Sequence, residues 1–443
     1  MTLRGAGRML SIGAALAIAV ATLTPSGQKE TLERLCLACG ELGSLDVALN
    51  IMLFIPLGLG LQMGGVRRST ALWAMCGATV MIELVQLLAI SGRDASVGDI
   101  IANAAGGTLG LVLGVHGEQL IRPRASLASI LAGCWLVVWV GTQVLAGLAL
   151  RSSPPPGRYF GQHMRPLGDE PQYEGRMLRS ALAGRPFPDW ELPAPHLTRA
   201  TLGADSGATM DLLFESEALT ARYAPIARIL DAEQREALAF GADGTSAIFS
   251  VRTRASDLRL RPLQFRLRDV LPRMRDRSSA RARDTVEARA RYARAEVTMH
   301  IEVNGHVTRS RSIRVSTSAG WRLLAPVDVH VEGSRTDALL DGAWLAGWLA
   351  IAGYWLCFAV AGAGARRARS MTMSVGAMLT IGIGLIIVPR ALHMADTTWW
   401  EAVAALAGVA AGCTVAWSTR RRSARKSGGN PILAPAQPQG AME

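Results

Sequence analysis

Cysteine is scarce in this chain, and the few present do not make a disulfide framework. Of the six, Cys76, Cys134, Cys357 and Cys413 fall inside apolar runs, the setting of inert core thiols. Cys36 and Cys39 stand apart as an isolated C-x-x-C. A tetrahedral zinc site would need two further ligands, and none is near in sequence, so a local disulfide or a thiol pair is favoured over a redox or metal role. Missing too are a phosphate-binding loop, a metal-ligand motif and a recognised nucleic-acid motif, so no cofactor, metal or nucleic-acid partner is expected. The net charge of +12 is mostly arginine and reads as basic cytoplasmic loops plus a basic external surface.

What the chain does have is apolar sequence. Half of its 443 residues are hydrophobic, concentrated in stretches of about 20, the length a helix needs to cross a ~30 Å hydrocarbon core. The runs fall at about 9–24, 46–64, 69–90, 99–116, 127–149, 343–363, 371–389 and 397–417. The first is expected to be an uncleaved anchor, because Ala21-Thr22-Leu23-Thr24-Pro25 is a poor cleavage site. Arginines test the count. Arg4 and Arg8, Arg67 and Arg68, Arg122 and Arg124, Arg366, Arg367 and Arg369, and Arg420, Arg421, Arg422, Arg425 and Lys426 all fall on one side of an eight-span topology. The positive-inside rule makes that side cytoplasmic, with both termini inside. The fold expected is an α-helical polytopic membrane protein of about eight transmembrane helices with an inserted all-β, jelly-roll-like sandwich. The location expected is a bacterial inner membrane, with residues 150–342 periplasmic.

The expected division is an N-terminal bundle of five helices (1–150), a proline-rich linker (151–170), the sandwich (171–335), a C-terminal bundle of three helices (343–417) and a disordered tail (427–443). Strand-like alternation marks Ala247–Arg252, Leu258–Leu267 and Val297–Val303. Asn304-Gly305 is a strong two-residue hairpin signal, with Val307–Val315 as the return strand. Ile226–Asp231, Ala237–Gly241 with Ile248–Arg252, and the late hairpin together resemble the concanavalin A-like or laminin-G-like jelly roll. That resemblance implies glycan or protein binding, and calcium in some members, but no ligand cluster here matches. The arginine-rich stretch 252–294 alternates Arg289 and Arg291 with Ala288, Ala290 and Tyr292, as one charged face of a strand would. It reads first as a solvated sheet face and second as a surface for an anionic partner such as phospholipid headgroups or envelope phosphates.

The informative chemistry lies in spans two to four. Asp46 and Asn50 share a helix face, Pro56 interrupts the same span, Glu83 and Gln86 are three apart, and Asp99 and Asn103 are one turn apart. By the topology these residues and Arg93 collect near the outer leaflet. A carboxylate at a span centre costs about 2.5–3.5 kcal/mol on insertion scales, so Glu83 should face protein, with Arg93 a natural partner for Glu83 or Asp99. Gly106, Gly107 and Gly110 should allow a close helix approach. The set reads either as glue joining three helices or as a polar site for a headgroup or glycan. No catalytic residue is assigned.

Asp46-x-x-x-Asn50-x-x-x-Phe54-x-Pro56-x-Gly58, then Glu83-x-x-Gln86, then Gly92-Arg93 and Asp99-x-x-x-Asn103-x-x-Gly106-Gly107-x-x-Gly110, resembles the VanZ-like family motif set over residues 46–114. The resemblance implies a cell-envelope membrane protein, linked in some members to resistance against the glycopeptide teicoplanin. The expected function is binding of a lipid-linked, glycan or glycopeptide ligand at the outer leaflet, beside a lectin-like external domain, in envelope protection or antibiotic resistance. Expected partners are membrane lipid, a glycan, lipoglycan or glycopeptide, and other envelope proteins. The alternatives are an enzyme acting on a lipid-linked substrate, with Glu83 or Asp99 as general acid or base, and a scaffold for envelope or polysaccharide machinery.

Overall fold

The computed structural model describes residues 3–24, 40–90, 96–204, 206–216, 222–272, 284–293, 295–362 and 367–427. Cys36, Cys39, Gly92, Arg93, the middle of the arginine-rich stretch and the tail from residue 428 lie outside the described residues.

Helices α1 (Leu3–Leu23), α2 (Gly43–Met63), α3 (Arg68–Ala89), α4 (Val97–Val115) and α6 (Ala125–Ala149) precede the β domain, with a short α5 (Gly117–Ile121) between the last two. Helices α7 (Pro195–Gly203) and α8 (Arg254–Asp257) belong to the β domain. After it come α9 (Arg335–Gly362), α10 (Arg367–Gly382), a π-helical turn (Ile383–Ile387) running into α11 (Val388–Ala391), and α12 (Trp399–Ser427). Eight of these segments are long and apolar enough to cross a membrane. They leave Trp73, Leu88, Val137, Leu145 and Leu379 largely exposed, which only a lipid environment makes favourable. This also corrects the expectation of core thiols: Cys134 is exposed on α6, Cys76, Cys357 and Cys413 are only half-buried, and none of the four forms a disulfide. An apolar run covers the lipid face of a helix as well as its packed face, so hydropathy cannot tell them apart.

Glycines set the helix pairing. A Cβ on Gly106 would collide with the Ile51 carbonyl, one on Gly110 with the Ile55 carbonyl, and one on Gly58 with the Gly107 carbonyl. Helices α2 and α4 therefore run parallel in near-backbone contact, with α3 antiparallel against them through Met75 on Gly107. Helix α2 continues unbroken through Pro56. The far bundle repeats the device, with Gly353 on Val409, Gly408 on Ala346 and Gly412 on Ala350 joining α9 to α12. Helix α6 packs Leu136 and Trp139 into that second bundle, and Trp135 Nε1 donates to the Trp348 carbonyl at 2.8 Å.

The strands are β1 (Tyr159–His163), β2 (Gly175–Leu182), β3 (Arg185–Pro186), β4 (Ala208–Ser216), β5 (Ala224–Asp231), β6 (Glu236–Asp243), β7 (Ser246–Val251), β8 (Gln264–Leu267), β9 (Asp284–Ala293), β10 (Glu296–Val303) and β11 (His306–Arg314). They form two antiparallel sheets, ordered β1-β5-β6-β7-β8 and β11-β10-β9-β4-β2-β3. The hairpin closes where expected: Asn304 and Gly305 both take positive φ (52° and 77°), and Val303 pairs with His306. Two expectations need correction. The stretch 151–170 is not an open tether, since it contains β1, and Tyr159 buries its ring and donates to the Pro155 carbonyl. Residues 258–267 are a strand only over β8, because α8 and a positive-φ Arg259 turn the chain first.

Most described arginines of the sandwich are internally satisfied. Arg289 pairs with Asp211 at 2.5 Å, Arg268 with Glu332 at 2.6 Å, and Arg291 donates to the Ser206 carbonyl at 2.9 Å. Arg228 is fully buried between Glu170 (2.5 Å) and Glu236 (2.7 Å). Burial pushes the Glu236 carboxyl above its usual range even with Arg228 beside it. His163 and His330 are held below the usual imidazole range, in both cases chiefly by burial. A histidine depressed in the folded state stabilises above its unfolded pKa, and that stability is lost as pH falls through the folded value. The two histidines should therefore cost stability as pH falls from 7 to 5, opposite in sign to the contribution of Glu236. In thermal scans at the two pH values, His163→Phe should shift the melting-temperature difference between pH 5 and pH 7 in favour of pH 5 relative to wild type.

The sandwich rests directly on the helices. Its core continues through Ala149 and Leu150 at the end of α6. Tyr292 Oη donates to the Leu150 carbonyl at 2.6 Å, and Leu45 N on α2 donates to the Arg259 carbonyl at 3.3 Å. A 3-10 turn (Thr317–Leu324) then joins the sandwich to the second bundle. Arg322, 1% exposed, donates to Asp337 at 2.9 Å and to Asp341 on α9. Glu401 on α12 accepts from Ser316 at 2.8 Å and from Ser318. Helix α9 thus begins eight residues before the expected 343, because its two charged turns, unfavourable by hydropathy, are neutralised by Arg322.

Candidate functional site

Helix α3 buries one stripe, Ala71, Met75, Thr79, Glu83 and Gln86, the spacing of a single helix face. Its polar half lies where α1 and α3 end and α2 and α4 begin. Glu83, 6% exposed, accepts from the Ser96 backbone N–H at 2.8 Å. Ser96 is the N-cap of α4, its hydroxyl accepting from Asp99 N at 3.3 Å. Gln86 Nε2 donates to the Thr22 carbonyl in the last turn of α1 at 2.9 Å. Asn103 Nδ2 donates to the fully buried Thr79 hydroxyl at 2.8 Å, and among the described residues its Oδ1 is buried with no partner. One face of α3 thus holds α1 on one side and α4 on the other.

Asp46, Asn50 and Asp99 form a second, more open layer at the same end. Asp46 is exposed in the first turn of α2, Asn50 sits a turn deeper and half-buried, and Asp99 is half-buried in the first turn of α4. Carboxylates in a first helical turn are favoured by the helix dipole, typically by about 0.3–1 kcal/mol at exposed positions. The expected residues accordingly separate into a buried group, Glu83, Gln86 and Asn103, and a rim, Asp46, Asn50 and Asp99. Arg93 lies outside the described residues.

Thr22, Thr79 and Ser96 are members of the network that motif reading passes over. Thr79 could have been found from its place four residues before Glu83 on the buried stripe, and Ser96 from the S-x-x-D pattern of a helix start. The Thr22 carbonyl leaves no mark in sequence. Among the described residues no group of three or more His, Cys, Asp or Glu is placed to hold a metal.

Fold and site together define a multi-pass helical membrane protein with an inserted antiparallel β domain, whose helices contact lipid. Residues 11–117 match the family model described as VanZ/LLP1, so this segment is a VanZ-like domain. The match takes in the second half of α1, from residue 11, which the motif reading over 46–114 left out and which Gln86 ties to α3. No match was found among curated proteins or among solved structures.

Proposed function

We propose that this is a cell-envelope protein of a bacterial inner membrane, with both termini cytoplasmic and the sandwich periplasmic, whose VanZ-like helices present a polar rim to a lipid-linked or glycan-bearing ligand at the outer leaflet. The observation that carries this reading is the two-layer arrangement. Glu83, Gln86 and Asn103 are buried and bonded across helices, so they hold the frame. Asp46, Asn50 and Asp99 stand above them at the same end, where the ligand would be met. The sandwich, with its concanavalin A-like resemblance, is the natural receiver of a glycan or of an envelope protein, and envelope protection, including glycopeptide resistance, is the physiological setting the VanZ-like domain suggests.

The layers make different predictions. Glu83→Gln replaces an acceptor with a group that can turn a donor toward the Ser96 N–H, so it should cost roughly 1–3 kcal/mol and lower the melting temperature in detergent. Asp46→Asn combined with Asn50→Ala should leave the melting temperature within a few degrees of wild type and abolish co-purification of a specific lipid or glycolipid in native mass spectrometry. Equal ligand retention by wild type and the rim variant would sink the binding reading and leave helix joining as the role of the whole set. A ligand recovered in chemically altered form would favour the enzyme reading.

A further inference from the structure

A cleft of about 770 Å³ opens at the base of the sandwich, lined by Ser152, Ser153, His196, Arg199, Gly203 and Arg254 among others. It is separate from the VanZ-like polar rim and uses none of its residues. Both arginines are exposed, and among the described residues neither guanidinium has a carboxylate or carbonyl partner. Among the described residues Arg151, Arg176, Arg185 and Arg314 also have no such partner, in a domain whose other cations are mostly consumed by ion pairs and carbonyls, but of this set only Arg199 and Arg254 line the cleft. Asp257, the neighbouring carboxylate on α8, is already turned toward Arg252 at 2.9 Å and Ser153 at 2.5 Å. The first turn of α7 contributes Pro195 and His196 to the wall, carries no acidic residue and has no side-chain cap, so its dipole adds to the positive field.

The position of the cleft is fixed by covalent and hydrogen-bonded ties to the membrane spans. Ser152 is three residues beyond Ala149, the end of α6, which is at most about 11 Å of chain. Arg254 N donates to the Arg151 carbonyl at 2.9 Å, which pins α8 to the same short segment. Just past α8, the Arg259 carbonyl accepts from Leu45 in the first turn of α2. The cleft therefore lies beside the ends of two helices long and apolar enough to span, which would put it at a headgroup layer roughly 5–8 Å thick per leaflet.

We propose that this cleft binds the phosphodiester headgroup of an anionic phospholipid of the surrounding leaflet, held by the Arg199 and Arg254 guanidinium groups. Arginine suits this role because its planar fork can donate two parallel hydrogen bonds to phosphate oxygens. The bound lipid would fix the sandwich against the bilayer beside α6, apart from whatever ligand the VanZ-like rim takes.

The test is native mass spectrometry of the detergent-purified full chain, incubated with equal amounts of phosphatidylglycerol and phosphatidylcholine of matched acyl chains. Wild type should retain phosphatidylglycerol preferentially. Arg199→Gln with Arg254→Gln should reduce that preference by about 30-fold, from the typical contribution of two arginines near an anionic surface. Arg176→Gln with Arg185→Gln, the same charge loss outside the cleft, should leave the preference in place. Equal preference in wild type and the cleft variant, or equal loss in both double variants, would overturn the site. Inorganic phosphate at millimolar concentration should fail to displace the lipid. Full displacement would show a free-anion site and overturn the lipid assignment. A cleft variant that loses the preference while keeping the rim-dependent ligand separates this site from the VanZ-like rim.

Discussion

Gly110→Leu is expected to abolish a monodisperse, folded protein in detergent, whereas Gly77→Leu should be close to wild type. At Gly110 even a Cβ would meet the Ile55 carbonyl and the Leu59 amide nitrogen, both backbone atoms of α2 that cannot swing aside. Relief would require α2 and α4 to separate along their whole shared face, losing the Gly58 and Gly106 contacts as well. Overpacking a compliant core typically costs about 1–3 kcal/mol and occasionally more, and a rigid backbone neighbour places this site at or above the top of that range. At Gly77 nothing lies within 4 Å, and a leucine there recovers helix propensity of up to about 1 kcal/mol. Size-exclusion profiles and thermal scans of the two variants should diverge. Similar behaviour would mean that the glycine seam is not what joins α2 to α4.

Arg322→Met should lower stability by about 3–5 kcal/mol, the usual cost of leaving a buried charge without its partner. The guanidinium lies over the Trp321 ring at 4.6 Å and links Asp337 to Asp341, one turn apart on α9. Its removal leaves two carboxylates facing each other in a buried joint. Arg322→Lys should not rescue fully, since one ammonium cannot reproduce a fork that reaches both carboxylates. Adding Asp341→Leu to Arg322→Met should recover part of the loss, because it removes one of the two stranded charges. Limited proteolysis gives a direct readout: cleavage at the sandwich–bundle joint should rise in Arg322→Met and fall back in the double variant. Unchanged cleavage in Arg322→Met would show that the joint does not depend on this arginine.

The eight spans were legible because a bilayer demands about 20 consecutive apolar residues and because arginine clusters break the runs. The hairpin at Asn304-Gly305 was legible because positive φ at two successive positions admits few residue types. The close approach at Gly106 and Gly110 could be read from the absence of side chains, but its partner could not. That α2 rather than α3 fills the space depends on residues far apart in sequence. The bond that holds Glu83 was hidden for a related reason, since its donor is a backbone N–H, which every residue but proline carries. The start of α9 was hidden by Asp337 and Asp341, which look like the end of a hydrophobic run until Arg322 is placed beside them. Strand β1 was masked by the three prolines before it, which signal a break in regular structure without indicating that a strand begins a few residues later.

Asp337 and Glu401 each begin a helix and hold the sandwich with the same carboxylate. Asp337 accepts from Ser334 N at 3.0 Å while its other oxygen takes Arg322, and Glu401 accepts from Thr398 N at 2.7 Å while its other oxygen takes Ser316 and Ser318. Each is the third helical residue of a capping box. During synthesis, domains generally fold as units with N-terminal ones first, so residues 316–324 can be in place before α9 and α12 are complete. Hydropathy commits those helices to the bilayer but leaves them free to slide by a turn along its normal. The finished sandwich removes that freedom, acting as a depth gauge that sets where the last spans begin.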